Sequence, residues 1–453
     1  MANWFIQASY FVVAVVFILG LKAMSSPVTA RKGIVWAGWA MVAAAVVTFF
    51  TPGLGNVGLM VLAIVAGGAV AWWSGKTVKM TDMPQMVAIY NGMGGGAAAA
   101  IAALEFARGE VHGPVVATLA VAGALIGSIA FSGSCIAYAK LQGIMKNAFR
   151  LPQQNLVNIV MAALTALLGL VIIISDVPSS AMIILFFVFA LALGVILTCP
   201  IGGADMPVVI SLLNAFTGLA VGLEGYVLAN PALIVAGTVV GAAGTLLTQL
   251  MAKAMNRPIT NVIFTPISGA AAGEGEAIEG TMKEFSALDA ASVMRYASKV
   301  VIVPGYGMAV AGAQHKVWEM AQLLEEGGVE VAFAIHPVAG RMPGHMNVLL
   351  AEAEVPYDQV FEMDDINGEF GQVDVAIVLG ANDVVNPVAL QKGSPIYGMP
   401  ILEAYKAKTV IVNKRSMAAG YAGLDNELFY MDKTMMVFGD AKKVVEEMTK
   451  AIE

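Results

Sequence analysis

The sequence predicts an α-helical transmembrane bundle of about nine helices, followed by a C-terminal α/β domain with a doubly wound, mostly parallel sheet of the Rossmann type. Composition supports this fold class, because the chain is 58% hydrophobic and 13% charged, whereas soluble domains contain about 25% charged residues. Most charged residues lie after residue 273, where apolar strands alternate with helical segments. We therefore predict a membrane domain over residues 1–258, a linker over 259–290 and a soluble domain over 291–453.

The membrane domain is predicted from the length of its apolar segments. A helix needs about 20 apolar residues to cross a hydrocarbon core of about 30 Å. Their many glycine and alanine residues favour close packing between helices. Nine segments meet the length requirement, and they are 4–22, 33–50, 56–74, 85–106, 114–138, 155–175, 179–198, 207–228 and 231–254.

Basic residues between these segments predict the orientation of the chain. Arg108 is the only basic residue in the predicted loops on one side of the membrane. The other basic residues lie in the alternate loops and after the ninth segment, namely Lys22, Arg31, Lys32, Lys76, Lys79, Lys140, Lys146, Arg150, Lys253 and Arg257. Because basic loops stay on the cytoplasmic side, we predict a multi-pass protein of the inner (cytoplasmic) membrane. Its N-terminus lies outside and its C-terminal domain lies in the cytoplasm.

Two of the helices begin with related sequences, DMPQMVAIYNGMGG from Asp82 and DMPVVISLLNAFTG from Asp205. Each has an asparagine nine residues after the aspartate, Asn91 and Asn214. At about 1.5 Å per residue, both amides lie about 13 Å into the membrane, where lipid offers no hydrogen-bond partner. Two interpretations remain open: the amides hold helices together, or they hold water along a proton path. Glu224, ten residues beyond Asn214, is predicted to be an acid at the outer interface, with a relay as the alternative.

The soluble domain shows apolar strands that alternate with helical segments, a pattern typical of a parallel, doubly wound sheet. The predicted strands are KVVIV, VEVAFAI, QVFEM, DVAIVLG, TVIVN and MMVFG. Helices are predicted near residues 312–326, 346–354 and 400–407 and from Asp440.

Several functional classes are disfavoured by the composition. The net charge of −7 gives no indication of nucleic-acid binding. The two cysteines, Cys135 and Cys199, are far apart in the sequence and lie in or beside apolar segments. We therefore predict neither a disulfide framework nor a metal site.

A glycine-rich turn follows the first strand of the soluble domain. The segment VVIVPGYGMAVAGAQ, residues 300–314, runs from the strand into Gly305, Tyr306, Gly307, Met308, Ala309 and Val310. It matches the pattern G-x-G-x-x-G of dinucleotide-binding domains except at its last position, Val310. Because a strand precedes the turn and a helix follows it, we predict a dinucleotide-binding site, with an incidental glycine turn as the alternative.

Charged residues at two strand ends predict which dinucleotide binds. NAD sites usually place an acid after the second strand, but this strand is followed by HPVAGR, which supplies Arg341 instead. Lys414, Arg415 and Ser416 follow a later strand, and two cations with a hydroxyl suit a 2′-phosphate. We therefore predict NADP(H), and a solvated basic turn remains the alternative interpretation.

Several segments are characteristic of one family, among them KAMNRP, VIVPGYGMAVAGAQ, IHPVAGRMPGHMNVLLAEA, GANDVVNP and NKRSMAAGYAGLDN. Through them the chain resembles, over essentially its whole length, the β subunits of proton-translocating nicotinamide nucleotide transhydrogenases. The resemblance implies that residues 1–258 conduct protons and that residues 291–453 bind NADP(H). It implies a partner α subunit that carries the NAD(H) domain and further membrane helices, in a dimer of complexes. Such an enzyme is an oxidoreductase and a translocase, because hydride transfer between NAD(H) and NADP(H) is coupled to proton translocation.

The resemblance also implies roles for residues of the soluble domain. The turn of residues 305–310 contacts the phosphate region of the cofactor, and Asn382 and Asp383 lie near the nicotinamide as the catalytic candidates. The other residues fall into three groups: Arg341, Pro343 and Gly344 approach the pyrophosphate, Lys414, Arg415 and Ser416 hold the 2′-phosphate, and Gly420 and Tyr421 belong to a loop that closes over the cofactor.

In the membrane domain, the resemblance links Asn91, Asp205, Asn214 and Arg257 to proton conduction and to coupling between the domains. Many family members have a histidine at the position of Asn91, and none of the four histidines of this chain lies deep in a predicted span. A titratable group must then come from a partner subunit, or the path uses water and amides alone.

A membrane channel or transporter, regulated by a C-terminal nucleotide-sensing domain, is the alternative function. Such a domain would usually carry the acid for NAD after its second strand. The absence of that acid and the presence of the Lys414–Arg415 pair argue against this alternative.

We assign packing or polar roles to His336 and His345, because hydride transfer between nicotinamides needs no acid or base.

Overall fold

The computed structural model describes residues 2–109, 111, 113–145, 150–175, 178–202, 205–264, 280–342, 344–392, 394, 396–417, 420 and 424–453. The chain divides into two compact units. The first contains Met1–Pro200 and Val209–Thr248, and the second contains Ile201–Val208 and Gln249–Glu453. The boundaries at residues 258 and 290 remain predictions, and residues 265–279 of the predicted linker lie outside the described part of the chain.

Long apolar helices make up the first unit, and nine helices of the described residues have the length and hydropathy to span a membrane. The predicted membrane bundle is thereby confirmed. Prolines stand at the first or second helical position of several of these helices, where their missing N–H group is tolerated. The helices are α1 (Ala2–Ala23), α2 (Pro27–Thr48), α3 (Val57–Thr77), α4 (Met83–Arg108), α5 (Pro114–Leu141), α6 (Gln154–Ile174), α7 (Ser180–Thr198), α8 (Met206–Val227) and α9 (Pro231–Ala254).

Small residues allow these helices to pack closely. A Cβ atom added to Gly95 of α4 would lie 3.0 Å from the carbonyl oxygen of Gly127 on α5. A Cβ atom on Gly237 of α9 would lie 2.6 Å from the carbonyl oxygen of Gly218 on α8. Such separations require glycine at the contact, which agrees with the predicted packing by small residues.

A six-stranded parallel sheet forms the centre of the second unit, with the strand order β3-β2-β1-β4-β5-β6. This order and direction are those of the dinucleotide-binding Rossmann fold, so the predicted fold class is confirmed. The strands are β1 (Lys299–Pro304), β2 (Glu330–Ile335), β3 (Val360–Glu362), β4 (Val375–Leu379), β5 (Thr409–Lys414) and β6 (Thr434–Phe438). The helices are α10 (Ile259–Phe264), α11 (Ala287–Arg295), α12 (Tyr306–Ala311), α13 (Gln314–Glu326), α14 (His345–Glu352), α15 (Met363–Ile366) and α16 (Ala441–Ile452).

Two segments of this unit differ from the sequence prediction. The helix predicted at 400–407 is wrong, because only Ala404–Lys406 form a single 3-10 turn. The Leu402 N–H group donates instead to the carbonyl oxygen of Val384, at 2.9 Å. Helix α11 was not predicted, although Ser286 and Asp289 form a capping box at its N-terminus. Its buried side packs against α16.

Candidate functional site

A cleft of about 400 Å³ lies at the carboxyl ends of the strands in the second unit. The segments that line it follow β1, β2, β4, β5 and β6, so the cleft includes the point where the strand order reverses between β1 and β4. Ligands of open parallel sheets bind at this position. The lining residues are Gly305, Tyr306, Gly307, Val310, Ala311, Val338, Ala339, Gly340, Arg341, Gly380, Ala381, Asn382, Asp383, Val384, Asn413, Lys414, Arg415, Ser416, Gly420, Gly439, Asp440 and Ala441.

The glycine turn after β1 packs tightly against the end of β4. The N–H groups of Gly305 and Gly307 donate to the carbonyl oxygens of Leu379 and Gly380, each at 2.9 Å. A Cβ atom on Gly305 would lie 2.5 Å from the Cα atom of Ala381. A Cβ atom on Gly307 would lie 2.7 Å from the Cα atom of Gly380. Glycine is therefore required here by the neighbouring strand end, independently of any ligand.

We expect Gly305→Ala to destabilise the second unit by about 1–3 kcal/mol, because the added methyl group overlaps backbone atoms that cannot move aside freely. Dinucleotide affinity should fall as well, since the displaced turn lines the cleft. Thermal unfolding and calorimetric titration of the purified protein measure the two effects. Gly371→Ala is the matched control, because a Cβ atom there meets no atom within 4 Å. Equal melting temperatures for both variants would contradict this requirement for glycine.

The loop after β2 is held by two buried histidines. The Val338 N–H group donates to Nδ1 of His336, at 3.2 Å, and Nε2–H of His336 donates to the carbonyl oxygen of Pro400, at 2.8 Å. Burial lowers the pKa of His336 from 6.5 to about 4. The Arg341 N–H group donates to Nδ1 of His345, at 3.1 Å. Both rings therefore act as neutral hydrogen-bond acceptors.

Arg341 is placed over the ring of Tyr306, with its guanidinium carbon 4.3 Å from the ring centroid. This arrangement joins the loop after β2 to the glycine turn after β1 and directs positive charge to the cleft. The same positive charge also affects the protonation of His345. Burial and, to a smaller extent, the neighbouring Arg341 lower the pKa of that histidine to about 4.

Asn382 and Asp383 lie at the end of β4 and are positioned by residues distant in the sequence. Nδ2 of Asn426, which is 1% exposed, donates to the carbonyl oxygen of Asn382 at 3.0 Å and to its Oδ1 at 3.2 Å. The backbone of Gly420 lies against the Asp383 carboxylate, since a Cβ atom there would be 2.7 Å from Oδ2. Asn426 thus fixes one of the two predicted catalytic residues.

Lys414, Arg415 and Ser416 line the same cleft from the end of β5. Nζ of Lys414 lies 4.5 Å from the ring centroid of Phe429. Burial lowers the pKa of Lys414, and the carboxylates of Asp383 and Asp425 partly oppose this shift. The half-buried Lys414 therefore does not belong to a freely solvated turn, whereas the side chains of Arg415 and Ser416 are exposed.

Two further residues that shape this cleft, Asn413 and Asp440, were not predicted as part of the site. Asn413 is 1% exposed, and its Nδ2 donates to the carbonyl oxygens of Val437 and Gly439 at 3.1 and 3.3 Å. Asp440 caps α16 by accepting from the N–H groups of Lys442 and Lys443. A Gly-Asp pair between a strand and a helix is a recognisable capping signal, but the contacts of Asn413 have no local signal.

The structure brings most of the predicted cofactor residues together, although their roles remain predictions. The side chains of Met308 and Ala309 are buried at 0% and 2% exposure, and Gly344 lies outside the lining at the start of α14. Pro343 and Tyr421 lie outside the described residues. The predicted residues found in the cleft are Gly305, Tyr306, Gly307, Val310, Arg341, Asn382, Asp383, Lys414, Arg415, Ser416 and Gly420.

Asn91 joins three helices of the first unit. Its Nδ2 donates to the hydroxyl oxygen of Ser134 on α5, at 3.0 Å, and its backbone carbonyl oxygen accepts from the hydroxyl group of Thr217 on α8, at 3.3 Å. Its Oδ1 is buried without a hydrogen-bond partner among the described residues. The two hydrogen bonds agree with the interpretation that Asn91 holds helices together. The Oδ1 acceptor agrees with the interpretation that Asn91 binds water along a proton path. Asn214 on α8 is half-buried.

Asp205 and Arg257 form an ion pair within the second unit. Nη1 of Arg257 donates to both carboxylate oxygens of Asp205, at 2.6 and 2.7 Å. The Asp205 side chain is 0% exposed and that of Arg257 is 16% exposed. Two residues predicted to act in coupling are thus in direct contact.

Comparisons with known proteins match nearly the whole chain. Residues 6–451 match the sequence model of the family described as NAD(P) transhydrogenase beta subunit. The NAD(P) transhydrogenase subunit beta of Rhodospirillum rubrum is 48% identical over 459 residues, which covers 98% of this chain and 98% of the relative. The protein of the same name from a designated strain of that organism shows the same identity and coverage.

Proposed function

Because the chain belongs to the family of NAD(P) transhydrogenase beta subunits, we propose that its cleft binds NADP(H) while NAD(H) binds a partner alpha subunit. The chain is one subunit of an oxidoreductase. Hydride passes between the two nicotinamides, and protons cross the membrane domain in the coupled reaction. We further propose a dimer of complexes in the inner membrane, with the N-terminus outside and the cleft in the cytoplasm.

The arrangement of charge around the cleft carries the assignment to NADP(H). The loop after β2 contributes Val338, Ala339, Gly340 and Arg341, so no carboxylate stands where NAD sites usually use one. Lys414 and Arg415 line the cleft from the end of β5 instead. A cleft that collects three cations matches the 2′-phosphate and pyrophosphate groups of NADP(H) better than the single pyrophosphate of NAD(H).

The cleft also fits a dinucleotide by shape. Its volume of about 400 Å³ lies within the range of about 300–1,000 Å³ for small-molecule sites. The glycines at 305, 307 and 380 leave the floor of the cleft without side chains. When bound, the nicotinamide of NADP(H) supplies or receives the hydride. Asn382 and Asp383 would orient that ring, and Arg341 would neutralise the pyrophosphate.

Arg415 is the residue that we expect to distinguish the two dinucleotides. The ammonium group of Lys414 already interacts with the carboxylates of Asp383 and Asp425. The exposed guanidinium of Arg415 has two N–H groups in the fork that grips phosphate oxygens.

In the membrane domain we propose that Asn91 and Asn214 flank the proton path, and that Asp205 and Arg257 couple it to cofactor binding.

Arg415→Ala should weaken NADPH binding by about 1.5–3 kcal/mol, because a charge-assisted contact with the 2′-phosphate is lost. NADH lacks that phosphate, so its weaker binding to the same protein should barely change. Isothermal titration of the purified full-length chain with each nucleotide measures both. Lys443→Ala removes one positive charge from an exposed position of α16 outside the cleft lining and controls for net charge. Equal losses for both nucleotides in Arg415→Ala would contradict the assignment.

A further inference from the structure

Lys140 is a half-buried cation at the end of α5. The sequence predicts that it follows the fifth membrane segment, but α5 extends to Leu141 and includes it in its last turn. Its Nζ donates to the carbonyl oxygen of Thr198, at 3.0 Å, and to that of Cys199. Thr198 is the last residue of α7, and Cys199 is the C-cap of that helix. The ammonium group of one membrane helix therefore binds the carboxyl end of another.

The carboxyl end of α7 needs partners from outside the helix. The last four carbonyl groups of an α-helix lack partners within it, and they form the negative end of the helix dipole. Residues 195–198, the last turn of α7, are all described and include no basic residue. Nε2 of Gln154 on α6 donates to the carbonyl oxygen of Ile196, at 3.1 Å. Lys140 supplies the cation that this helix end lacks in its own sequence.

Close packing of α5 against α7 sets the position of the ammonium group. A Cβ atom on Gly133 of α5 would lie 2.9 Å from Oγ1 of Thr198. A Cβ atom on Gly194 of α7 would lie 2.7 Å from the carbonyl oxygen of Ile129 on α5. Lys140 lies seven residues beyond Gly133, which places both residues on the same face of α5. The backbone that carries Lys140 is therefore held against α7, and its side chain has only a short distance to span.

The bound end of α7 leads into a segment that we assign to coupling. Five residues separate Cys199 from Asp205, which immediately precedes α8. On α5, Ser134 donates no more than about 9 Å of helix length to its separation from Lys140, since the two are six residues apart. Ser134 is the hydrogen-bond partner of Asn91. Helix α5 thus carries both a contact with Asn91 and the anchor of the chain that leads to Asp205.

We propose that Lys140 is a positioning residue for the coupled reaction, an inference that rests on the proposed function. Its ammonium group holds the carboxyl end of α7 against α5 and so fixes the start of the connection to Asp205. Lys140 itself takes no part in hydride transfer. Coupling requires an element whose state depends on both sites. The anchored connection joins Asp205, through the backbone, to the helix that contacts Asn91.

Lys140→Met tests this assignment in the complete alpha–beta enzyme reconstituted into vesicles. Methionine is also unbranched and long, but it cannot donate a hydrogen bond. We expect proton-coupled NADPH formation to fall about tenfold or more, because lost hydrogen bonds to a charged group correspond to a population change of that size. NADPH affinity and hydride exchange without a proton gradient should be retained. Lys140→Arg keeps the charge and the donors and should restore most of the coupled rate.

Lys76→Met is the matched control, because it makes the same change in the last turn of another membrane helix. Lys76 ends α3, and its exposed ammonium group lies over the ring of Trp72 of the same helix, at 4.6 Å from the centroid. The coupled rate of this variant should stay at the wild-type level. An equal loss in Lys76→Met and Lys140→Met would overturn the assignment, because any cation at a helix end would then have the same effect.

Cys199 gives a second measurement that does not depend on turnover. Its carbonyl oxygen is bound by Lys140 and its side chain is half-buried, so release of the helix end should expose the thiol. Maleimide labelling of Cys199 should be about tenfold faster in Lys140→Met than in the wild-type protein or in Lys140→Arg, by the same population change. Labelling of Cys135 on α5 should not change. Mass spectrometry of the labelled peptides separates the two thiols.

Lys140→Gln keeps a hydrogen-bond donor without the charge, and it replaces Lys140→Met if the methionine variant does not accumulate in the membrane. Wild-type coupled rates in the neutral variants, or equal labelling of Cys199 in all variants, would overturn the assignment. Equal losses of coupled NADPH formation and of hydride exchange would overturn it as well, because they would indicate general damage. A wild-type complex that exchanges no hydride between nucleotides would refute the proposed function instead, so the two failures are distinguishable.

Discussion

Arg257→Leu should destabilise the protein by about 3–5 kcal/mol, because it leaves the buried Asp205 carboxylate without the guanidinium that neutralises it. Both hydrogen bonds of the pair are short, at 2.6 and 2.7 Å, and the Asp205 side chain is 0% exposed. Removal of one buried charge partner is costly because the remaining charge is still desolvated. Chemical unfolding of the purified chain in detergent measures the loss.

A double-mutant cycle separates the ion pair from other effects of the substitution. Asp205→Leu combined with Arg257→Leu should recover part of the lost stability, since no isolated buried charge remains. Lys316→Leu removes a cation from an exposed pair with Glu319 and should change the free energy of unfolding little. Equal free energies of unfolding for Arg257→Leu and Lys316→Leu would contradict the expectation that the buried pair stabilises the protein more than the exposed one.

This ion pair also bears on the proposed coupling. Asp205 immediately precedes α8, which carries Asn214 and Glu224, and Arg257 follows α9. Any change of charge or hydration that alters the Asp205–Arg257 contact can therefore displace the ends of two membrane helices. Coupling requires an element whose state depends on both sites, and a buried pair at two helix ends has the necessary position.

The fold was predictable because its signals are local. A stretch of about 20 apolar residues is sufficient to identify a membrane helix, and a strand followed by a glycine turn and a helix identifies the start of a Rossmann domain. Lys414 and Arg415 of the NKRSM segment follow a predicted strand. Because a parallel sheet brings the carboxyl ends of its strands to one edge, their position in the cleft was predictable.

The remaining features depend on contacts between residues far apart in the sequence. Asn426 reaches Asn382 across 44 positions, and His336 reaches Pro400 across 64. Neither pairing is visible in a local pattern. The helix predicted at 400–407 is wrong for the same reason, because the Leu402 N–H group donates to the carbonyl oxygen of Val384, which is distant in the sequence. Glu224, predicted to lie at the outer interface, is only 1% exposed, and its carboxyl group lies against Gly123 of α5, a residue distant in the sequence.

Acidification from pH 6.5 to pH 4 should remove about 3 kcal/mol of stability through His336 alone. Burial lowers the folded-state pKa of this residue from 6.5 to about 4. A lowered histidine pKa means that the unfolded chain binds the proton more readily, so the contribution is complete above 6.5 and is lost as the pH falls toward 4. Each unit of pKa difference corresponds to about 1.4 kcal/mol. Asp374, whose hydrogen bond with Lys408 lowers its pKa to about 2, loses its contribution only at lower pH.

His336→Gln should reduce the slope of this part of the stability profile, measured as the free energy of unfolding of the purified chain between pH 7 and pH 4. A smaller slope should remain, because the pKa of His345 is also lowered to about 4. His315→Gln makes the same change at an exposed imidazole on α13 and should leave the slope unchanged. Cofactor affinity should follow the same pH window, because a proton on Nδ1 of His336 would remove the acceptor of the Val338 N–H group. The loop from Val338 to Arg341 would then lose one of its two anchors, and the hydrogen bond from the Arg341 N–H group to His345 would be the one that remains. Parallel stability profiles for the wild-type protein and His336→Gln would show that the buried ring does not hold the loop in this way.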